Sequence, residues 1–391
     1  MYLTAGLHRS LQRHPDKIAL VDGHCRLSFG QLHARVARLA AALQQLGVQP
    51  GDRIAVLAHN SARYVETTLA VWWCGATLNP VNTRWSLAEI TYALNDCAAR
   101  VLLVDDAFTA LAHDVVPQVA SLCATIHLGH APTPEGLHSY EALIDAATPV
   151  EDARPSADAL AAILYTGGTT GFPKGVMLSH HNFWSSSVGR TAEVPNPSDF
   201  VTLLIAPLFH VAGLGRLIGQ LIVGGTCVTL PAFRPDTVLH TIQEEGITDM
   251  VMVPSMVQML LDTPTFGQHD LSSLRRILWG AAPMALPLLE RALAALPHVE
   301  FIHAYGMTET AASVSVHRIG QAPEERRGEC IRSAGRAGYA TEIRVADPEG
   351  REVPTGDAGE ILVRGPVVMV GYWGRPEETA QALHGGWLHT G

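Results

Sequence analysis

The sequence predicts an α/β protein built as two stacked αβ subdomains with largely parallel sheets, followed by a small β-rich subdomain forming a distorted barrel. Three observations carry this. Helical patterns alternate with short β-rich runs from about residue 30 to 150. The alternation restarts after the polar, proline-containing stretch EDARPSAD at 151–158. From about 335 the pattern changes to short strands separated by DPEG and PTGD turns with no long helix between them. Alternation of this kind implies a parallel sheet covered by helices, and the expected divisions are residues 1–155, 156–330 and 331–391.

Element by element, LHARVARLAAALQQLG (32–47) spaces its apolar residues for a helix and ends on Gly47, a residue suited to a helix C-terminus. The QPGD turn leads into the apolar run RIAVLA (53–58), a buried strand; a helix at about 63–75 and the strand VLLVD (101–105) continue the rhythm. After the boundary come AAILYT (161–166), VTLLIAP (201–207), TCVTLP (226–231), DMVMVP (249–254) and RRILWGA (275–281). TEIRVAD, GEILVRG and VVMVGYW supply the strands of the last unit. The most apolar stretch, 201–230, contains His210 and Arg216 and is broken by Pro207 and glycines. It reads as buried core, because a membrane span needs roughly 20 uninterrupted apolar residues.

Composition narrows the function classes. The 391 residues are 47% hydrophobic and 16% charged, enough apolar material for a large core and too much for a disordered chain. With 27 Lys and Arg against 37 Asp and Glu the net charge is −10, and no basic cluster offers the cationic stripe a nucleic-acid binder needs. Only two of the 27 cations are lysines, Lys17 and Lys174; Lys17 reads as an ordinary surface charge. Six scattered cysteines without a CxxC pair fit reduced thiols in a cytoplasmic enzyme. The N-terminus lacks the basic-then-apolar architecture of a signal peptide.

The sharpest local signal is YTGGTTGFPKGVMLSH, Tyr165–His180. It follows a buried strand and gathers Gly167, Gly168, Gly171 and Gly175 around Thr166, Thr169, Thr170 and Lys174. Glycines let backbone N–H groups turn inward as an anion nest, while hydroxyls and one ammonium add donors. Pro173 precedes Lys174 and Gly175 follows it, so the loop is not a Walker A motif, and it does not read GxGxxG.

With its companions this loop resembles the adenylate-forming superfamily of acyl-CoA synthetases, adenylation domains and luciferases, most of all a bacterial-type fatty acid–CoA ligase. PLFHVAG (207–213), WGAAPM (279–284), AYGMTET (304–310), GDAGEILVRGP (356–366) and GWLHTG (386–391) follow in the family's order, and WWCGATLNPVNTRWS (72–86) resembles its early segment. The resemblance covers essentially the whole chain. It implies ATP-dependent activation of a carboxylic acid to acyl-AMP and pyrophosphate, with transfer to CoA. A carrier-protein acceptor, or a non-catalytic acyl- and nucleotide-binding remnant, stays open beside it. Retention of Lys174, Thr308 and Glu309 together speaks against the remnant.

The resemblance implies roles for particular residues. The Tyr165–Gly175 loop, through Thr166, Gly167, Gly168, Thr169, Thr170, Gly171 and Lys174, would hold the phosphates and stabilise departing pyrophosphate. Glu309 is the natural Mg²⁺ carboxylate, with Thr166 as a candidate hydroxyl. Tyr305 would stack on adenine, with Gly280, Ala281 and Ala282 beneath the base and Ala304 and Gly306 alongside; Thr308 would bond the α-phosphate. His210 would position the carboxylate, since an acid already ionised at pH 7 needs no general base. Val211, Ala212, Gly213, Leu214, Trp279, Ala304 and Met307 would line the acyl pocket. None of these could neutralise a second charge, which favours an aliphatic or aromatic acid over an amino acid.

Two departures stand out: the family commonly has Ser where Gly167 stands and a second glycine where Ala281 stands. The chain stops at HTG, one residue before the aspartate that the family places on the ribose hydroxyls. The hinge and the small C-terminal domain are therefore expected to be absent from it, and thioester formation by this chain alone to be weak. A homodimer is allowed by the resemblance and not required.

Overall fold

A computed structural model describes residues 1–167, 173–319 and 331–391. Its two large sheets each have a parallel centre, with antiparallel strands at one edge of the first and at both edges of the second. In the first, Leu160–Thr166, Thr77–Pro80, Arg53–Leu57, Ala99–Val104, Ala124–His127 and His138–Ser139 run parallel, in that order. Lys174–Ser179 and then Gly371–Tyr372 extend it antiparallel at one edge. The second sheet is parallel through Glu300–Tyr305, Arg276–Trp279, Asp249–Met252, Val201–Leu204, Thr226–Thr229 and Ile18–Asp22. Ser315–Ile319 and Arg336–Ala337 close one side, and Cys25–Ser28 the other.

Helices fill the space between the sheets. Along Arg53–Leu57, Ile54 and Val56 enter a central core shared with Leu20, Leu204 and Cys227 of the other sheet. Ala55 and Leu57 face an outer core against the Leu87–Asp96 and Thr109–Val115 helices. The period-2 alternation of a strand separates the two sets. The helices Phe29–Gln45, Ala62–Trp73, His180–Glu193 and Val211–Val223 contribute to the central core. Pro235–Glu245, Pro254–Asp262 and Leu286–Ala295 cover the far face of the second sheet. The result is five layers, α/β/α/β/α, which the expected stacking of two αβ units anticipates.

Local chemistry accounts for the ends of these helices. Capping boxes start three of them, at Ser28 with Gln31, Ser86 with Glu89 and Ser179 with Asn182. Gly224 and Gly246 end two others in the left-handed region.

Four features differ from the sequence-based expectation. Strand membership does not follow the division at 155: Ile18–Asp22 joins the second sheet, and Leu160–Thr166 and Lys174–Ser179 join the first, so the chain crosses between them more than once. VVMVGYW yields only the strand Gly371–Tyr372, which leaves the β-rich unit to pair with Lys174–Ser179. That unit is an open four-stranded antiparallel sheet of Glu342–Ala346, Glu360–Arg364, Trp387–His389 and Leu383–His384 rather than a barrel among the described residues. Lys17 is no free surface charge: its ammonium donates to the carbonyls of Gly224, at 2.6 Å, and Ser198, satisfying the end of the Val211–Val223 helix.

The apolar stretch 201–230 is a strand, a helix and a strand, and Arg216 inside it is buried against Asp249 and Thr202. No helix among the described residues is long and apolar enough to cross a membrane.

Candidate active site

The parallel strands of the second sheet all end on one edge, and three of the predicted motifs, PLFHVAG, WGAAPM and AYGMTET, follow those ends. Ligands of open α/β sheets bind at such an edge, outside the carboxyl ends of the strands.

After Val201–Leu204 the chain turns through Pro207, with His210 N–H donating to the Pro207 carbonyl at 3.0 Å, and starts the Val211–Val223 helix. Buried Asn60 clamps the turn. Its amide donates to the carbonyls of Leu204 and Ala206, both at 3.0 Å, and its Oδ1 accepts from Leu208 N–H at 2.9 Å. Gly213 is obligatory because a Cβ there would strike the Pro207 carbonyl. His210 caps the helix by position without a capping bond and leans on Phe209, ring centroids 4.4 Å apart. Partial desolvation first, and the charge of Arg84 second, lower its pKa. A neutral imidazole can orient a carboxylate without a second positive charge.

Arg276–Trp279 leads into Gly280, whose Cβ position is filled by the Ala304 carbonyl of the next strand. Ala281 follows with φ +64°, where glycine would sit without strain; the departure noted in the sequence is therefore a backbone strain. Ala281 and Ala282 are exposed. Glu300–Tyr305 runs into Gly306, wedged against the Ala312 carbonyl, and then into the 3₁₀ turn Thr308–Thr310. The Thr310 hydroxyl accepts from Met307 N–H at 3.0 Å and pins this turn. Ala304, Tyr305, Gly306, Met307 and Thr308 are partly exposed beside it, while Glu309 is buried.

The phosphate-loop motif spans two antiparallel strands, with Thr166 opposite Lys174. Gly168, Thr169, Thr170 and Gly171 lie outside the described residues; Thr166, Gly167 and Lys174 flank them. The base of this hairpin is anchored. Tyr165 OH donates to Asp96 Oδ2 at 2.6 Å, Arg375 Nη2 reaches Asp96 Oδ1 at 3.1 Å, and Trp373 Nε1 donates to the Asp96 carbonyl at 3.0 Å.

Tyr372 links the two motifs. Its hydroxyl donates to Glu309 Oε1 at 2.9 Å, and the Lys174 ammonium lies over its ring, 5.1 Å from the centroid. Met369 N–H donates to the Glu309 carbonyl at 2.8 Å. Burial first and the Glu309 charge second raise the Tyr372 pKa, so it remains a donor at neutral pH. Glu309 Oε2 makes no bond among the described residues, leaving a hard oxygen ligand beside a lysine, the donor chemistry that Mg²⁺–phosphate binding uses. No group of three or more His, Cys, Asp or Glu among the described residues could hold a metal ion.

Two predicted pocket residues face elsewhere. Trp279 points with Ile277 into the outer core and stacks on His303 at 4.9 Å, because alternation along the strand puts it opposite Leu278. Leu214 is wholly buried in the central core. Val211, Ala212 and Met307 remain partly exposed near the site. Asn60, Asp96 and Tyr372 escaped sequence reasoning, since each acts on a segment distant in the chain.

Comparison with known proteins gives the class to which this fold belongs. Residues 7–373 match the AMP-binding enzyme family, and the chain belongs to it. It is 38% identical to the feruloyl-CoA synthase of an Amycolatopsis species, covering 98% of this chain and 74% of that one. It is 34% identical to a fatty acid–[acyl-carrier-protein] ligase of Streptomyces coeruleorubidus, covering 97% and 72%. The anthranilate CoA ligase AuaEII, solved with anthranoyl-AMP, superposes with a TM-score of 0.91 at 28% identity, covering all of this chain and 75% of that one. The family and its relatives make this an acid–thiol ligase fold, and the relatives activate chemically varied acids.

Proposed function

We propose that this protein condenses an apolar carboxylic acid with ATP, forming acyl-AMP and releasing pyrophosphate, and passes the acyl group to CoA with release of AMP. The observation that supports the reading is the junction of Lys174 and Glu309 on Tyr372, which brings a cation and a carboxylate of two distant motifs together, as binding of Mg²⁺ and phosphate would require. Thr166 and Glu309 would hold Mg²⁺, which when bound screens the phosphate charge. Lys174 and the loop donors hold the β- and γ-phosphates and stabilise charge on pyrophosphate as it leaves. Thr308 bonds the α-phosphate, and Tyr305 stacks on adenine beside Gly280, Ala281 and Ala282. His210 orients the acid, with Val211, Ala212, Gly213 and Met307 along its apolar part.

ATP–pyrophosphate exchange across a panel of carboxylic acids tests this in the protein carrying this chain. Exchange should depend on the acid, and Lys174→Ala should lower it on the order of 10²–10³-fold. No exchange with any acid, or full exchange in the variant, refutes the reading. The carrier-protein ligase among the relatives keeps a protein thiol as the second reading for the acceptor; product analysis with CoA against carrier protein separates the two.

A further inference from the structure

One carboxylate joins the two chain segments that carry the phosphate-loop motif and Tyr372. Asp96 is the last residue of the Leu87–Asp96 helix, where the carbonyl ends of the helix oppose a negative charge. It lies 69 residues from Tyr165 and 279 from Arg375 in sequence, yet each of its oxygens serves one of them. Oδ2 accepts from the Tyr165 hydroxyl at 2.6 Å, and Oδ1 from Arg375 Nη2 at 3.1 Å. The Asp96 carbonyl accepts from Trp373 Nε1 at 3.0 Å. Burial first, then Cys97 and Asp96, raise the Tyr165 pKa, so its hydroxyl stays a donor. Hydrogen bonds to an ionised acceptor are the stronger ones.

Tyr165 belongs to the outer core with Ile163, and its ring packs on Gly175 across the hairpin, where a Cβ would stand 3.0 Å from its Cζ. Alternation turns the next pair, Thr166 and Lys174, to the other face of the sheet. Asp96 therefore acts from the face opposite to them. Its second leg runs to the segment after Tyr372. Trp373 N–H donates to the Gly175 carbonyl at 2.7 Å, and the Arg53 guanidinium lies over its ring, 5.6 Å from the centroid. Arg375 Nη2 also donates to Tyr92 OH at 2.7 Å. Tyr372 bonds Glu309 and carries the Lys174 ammonium over its ring. A shift at Asp96 thus displaces Thr166 through one leg and the Lys174–Tyr372–Glu309 junction through the other.

We propose that Asp96 is a positioning residue for the triphosphate: it sets Thr166 against the Lys174–Glu309 junction, and so the fit of these groups to the β- and γ-phosphates and their Mg²⁺. This rests on the adenylate reading above, and it assigns a role to a residue outside every recognised motif. Misplacing a binding group by about 1 Å can cost on the order of 10²-fold, which is why a side chain without contact to the ligand matters. The groups proposed for adenine and the α-phosphate, at 280–282 and 304–308, follow strands of the other sheet. Their placement does not run through Asp96, and the two halves of the nucleotide can be read apart.

The test is calorimetric titration of Mg·ATP and of AMP into the protein carrying this chain. Asp96→Ala should raise the Mg·ATP dissociation constant about tenfold or more, the range for hydrogen bonds to a charged group, and leave that of AMP within about twofold. Asp96→Asn should retain part of the affinity, because its Oδ1 can still accept from Tyr165. Tyr165→Phe should weaken Mg·ATP binding by itself and add nothing to Asp96→Ala, since both act through one bond. Equal weakening of the two nucleotides, or unchanged Mg·ATP binding in a folded Asp96→Ala variant, overturns the proposal alone. Failure of the unaltered protein to bind either nucleotide overturns the adenylate reading and this proposal with it. Should the alanine variant not fold, Tyr165→Phe, which loses one oxygen and keeps the ring on Gly175, decides by the same comparison of Mg·ATP with AMP.

Discussion

Replacing Tyr372 with Phe removes one oxygen and leaves the ring, so the contact with the Lys174 ammonium survives while the bond to Glu309 is lost. Glu309 is 7% exposed, and water cannot readily replace the missing donor. A hydrogen bond to a charged group contributes about 1.5–3 kcal/mol. With its orientation no longer held, Glu309 should support Mg·ATP less well, and the dissociation constant should rise at least about tenfold. Glu309→Gln should weaken binding by itself. In the double variant the two losses should fall short of their sum by about 1 kcal/mol or more, since both act through one bond. Calorimetric titration of Mg·ATP into the four proteins measures the cycle. Losses that add within about 0.5 kcal/mol would show that Tyr372 does not act through Glu309.

Other consequences concern stability. Burial pushes the His180 pKa down to about 4, and its Nδ1 accepts from Leu3 N–H at 3.2 Å, so the folded state holds the neutral ring. The unfolded state binds the proton from about pH 6.5 downward, so stability is full above that value and falls as the pH drops toward 4, by about 2 kcal/mol between pH 7 and 5. Urea midpoints at the two pH values should show a smaller drop in His180→Gln; an identical drop would contradict the assignment. Arg216→Met should cost about 3–5 kcal/mol by stranding the buried Asp249 carboxylate, and Arg216→Met/Asp249→Leu should recover much of it. A double variant no more stable than the single one, on chemical denaturation, would contradict this. Ala281→Gly relieves the positive φ of an exposed residue and should stabilise the protein by up to about 1 kcal/mol, read as a raised unfolding temperature.

The motifs and the rhythm of the elements were legible because their causes are local. Apolar spacing and the Ser28–Gln31 capping box mark the first long helix; the box starts it at Phe29, three residues ahead of the predicted start. Alternation marks Arg53–Leu57, and a left-handed glycine marks the end of Val211–Val223. Lys174, Glu309 and His210 could be singled out because their neighbours in sequence carry the family's pattern.

Strand partners and side-chain facing depended on tertiary packing. Ile18–Asp22 pairs with Thr226–Thr229, some two hundred residues away, because its apolar face completes that sheet, and nothing in IALVD names the partner. The same holds for GYW, whose hydrophobicity predicts a strand and whose placement at the edge beside Lys174 puts the Tyr372 hydroxyl on Glu309. Trp279 and Leu278 are neighbours in sequence and opposite in space, so composition alone could not say which faces the acid. The sequence by itself determined the layered α/β class and singled out the residues proposed to carry phosphate chemistry, since those follow from short-range pattern. Only the tertiary structure decided how Tyr372 joins Lys174 to Glu309, and how Asn60 clamps the turn before His210. Each of those relations spans distances along the chain that no local propensity encodes.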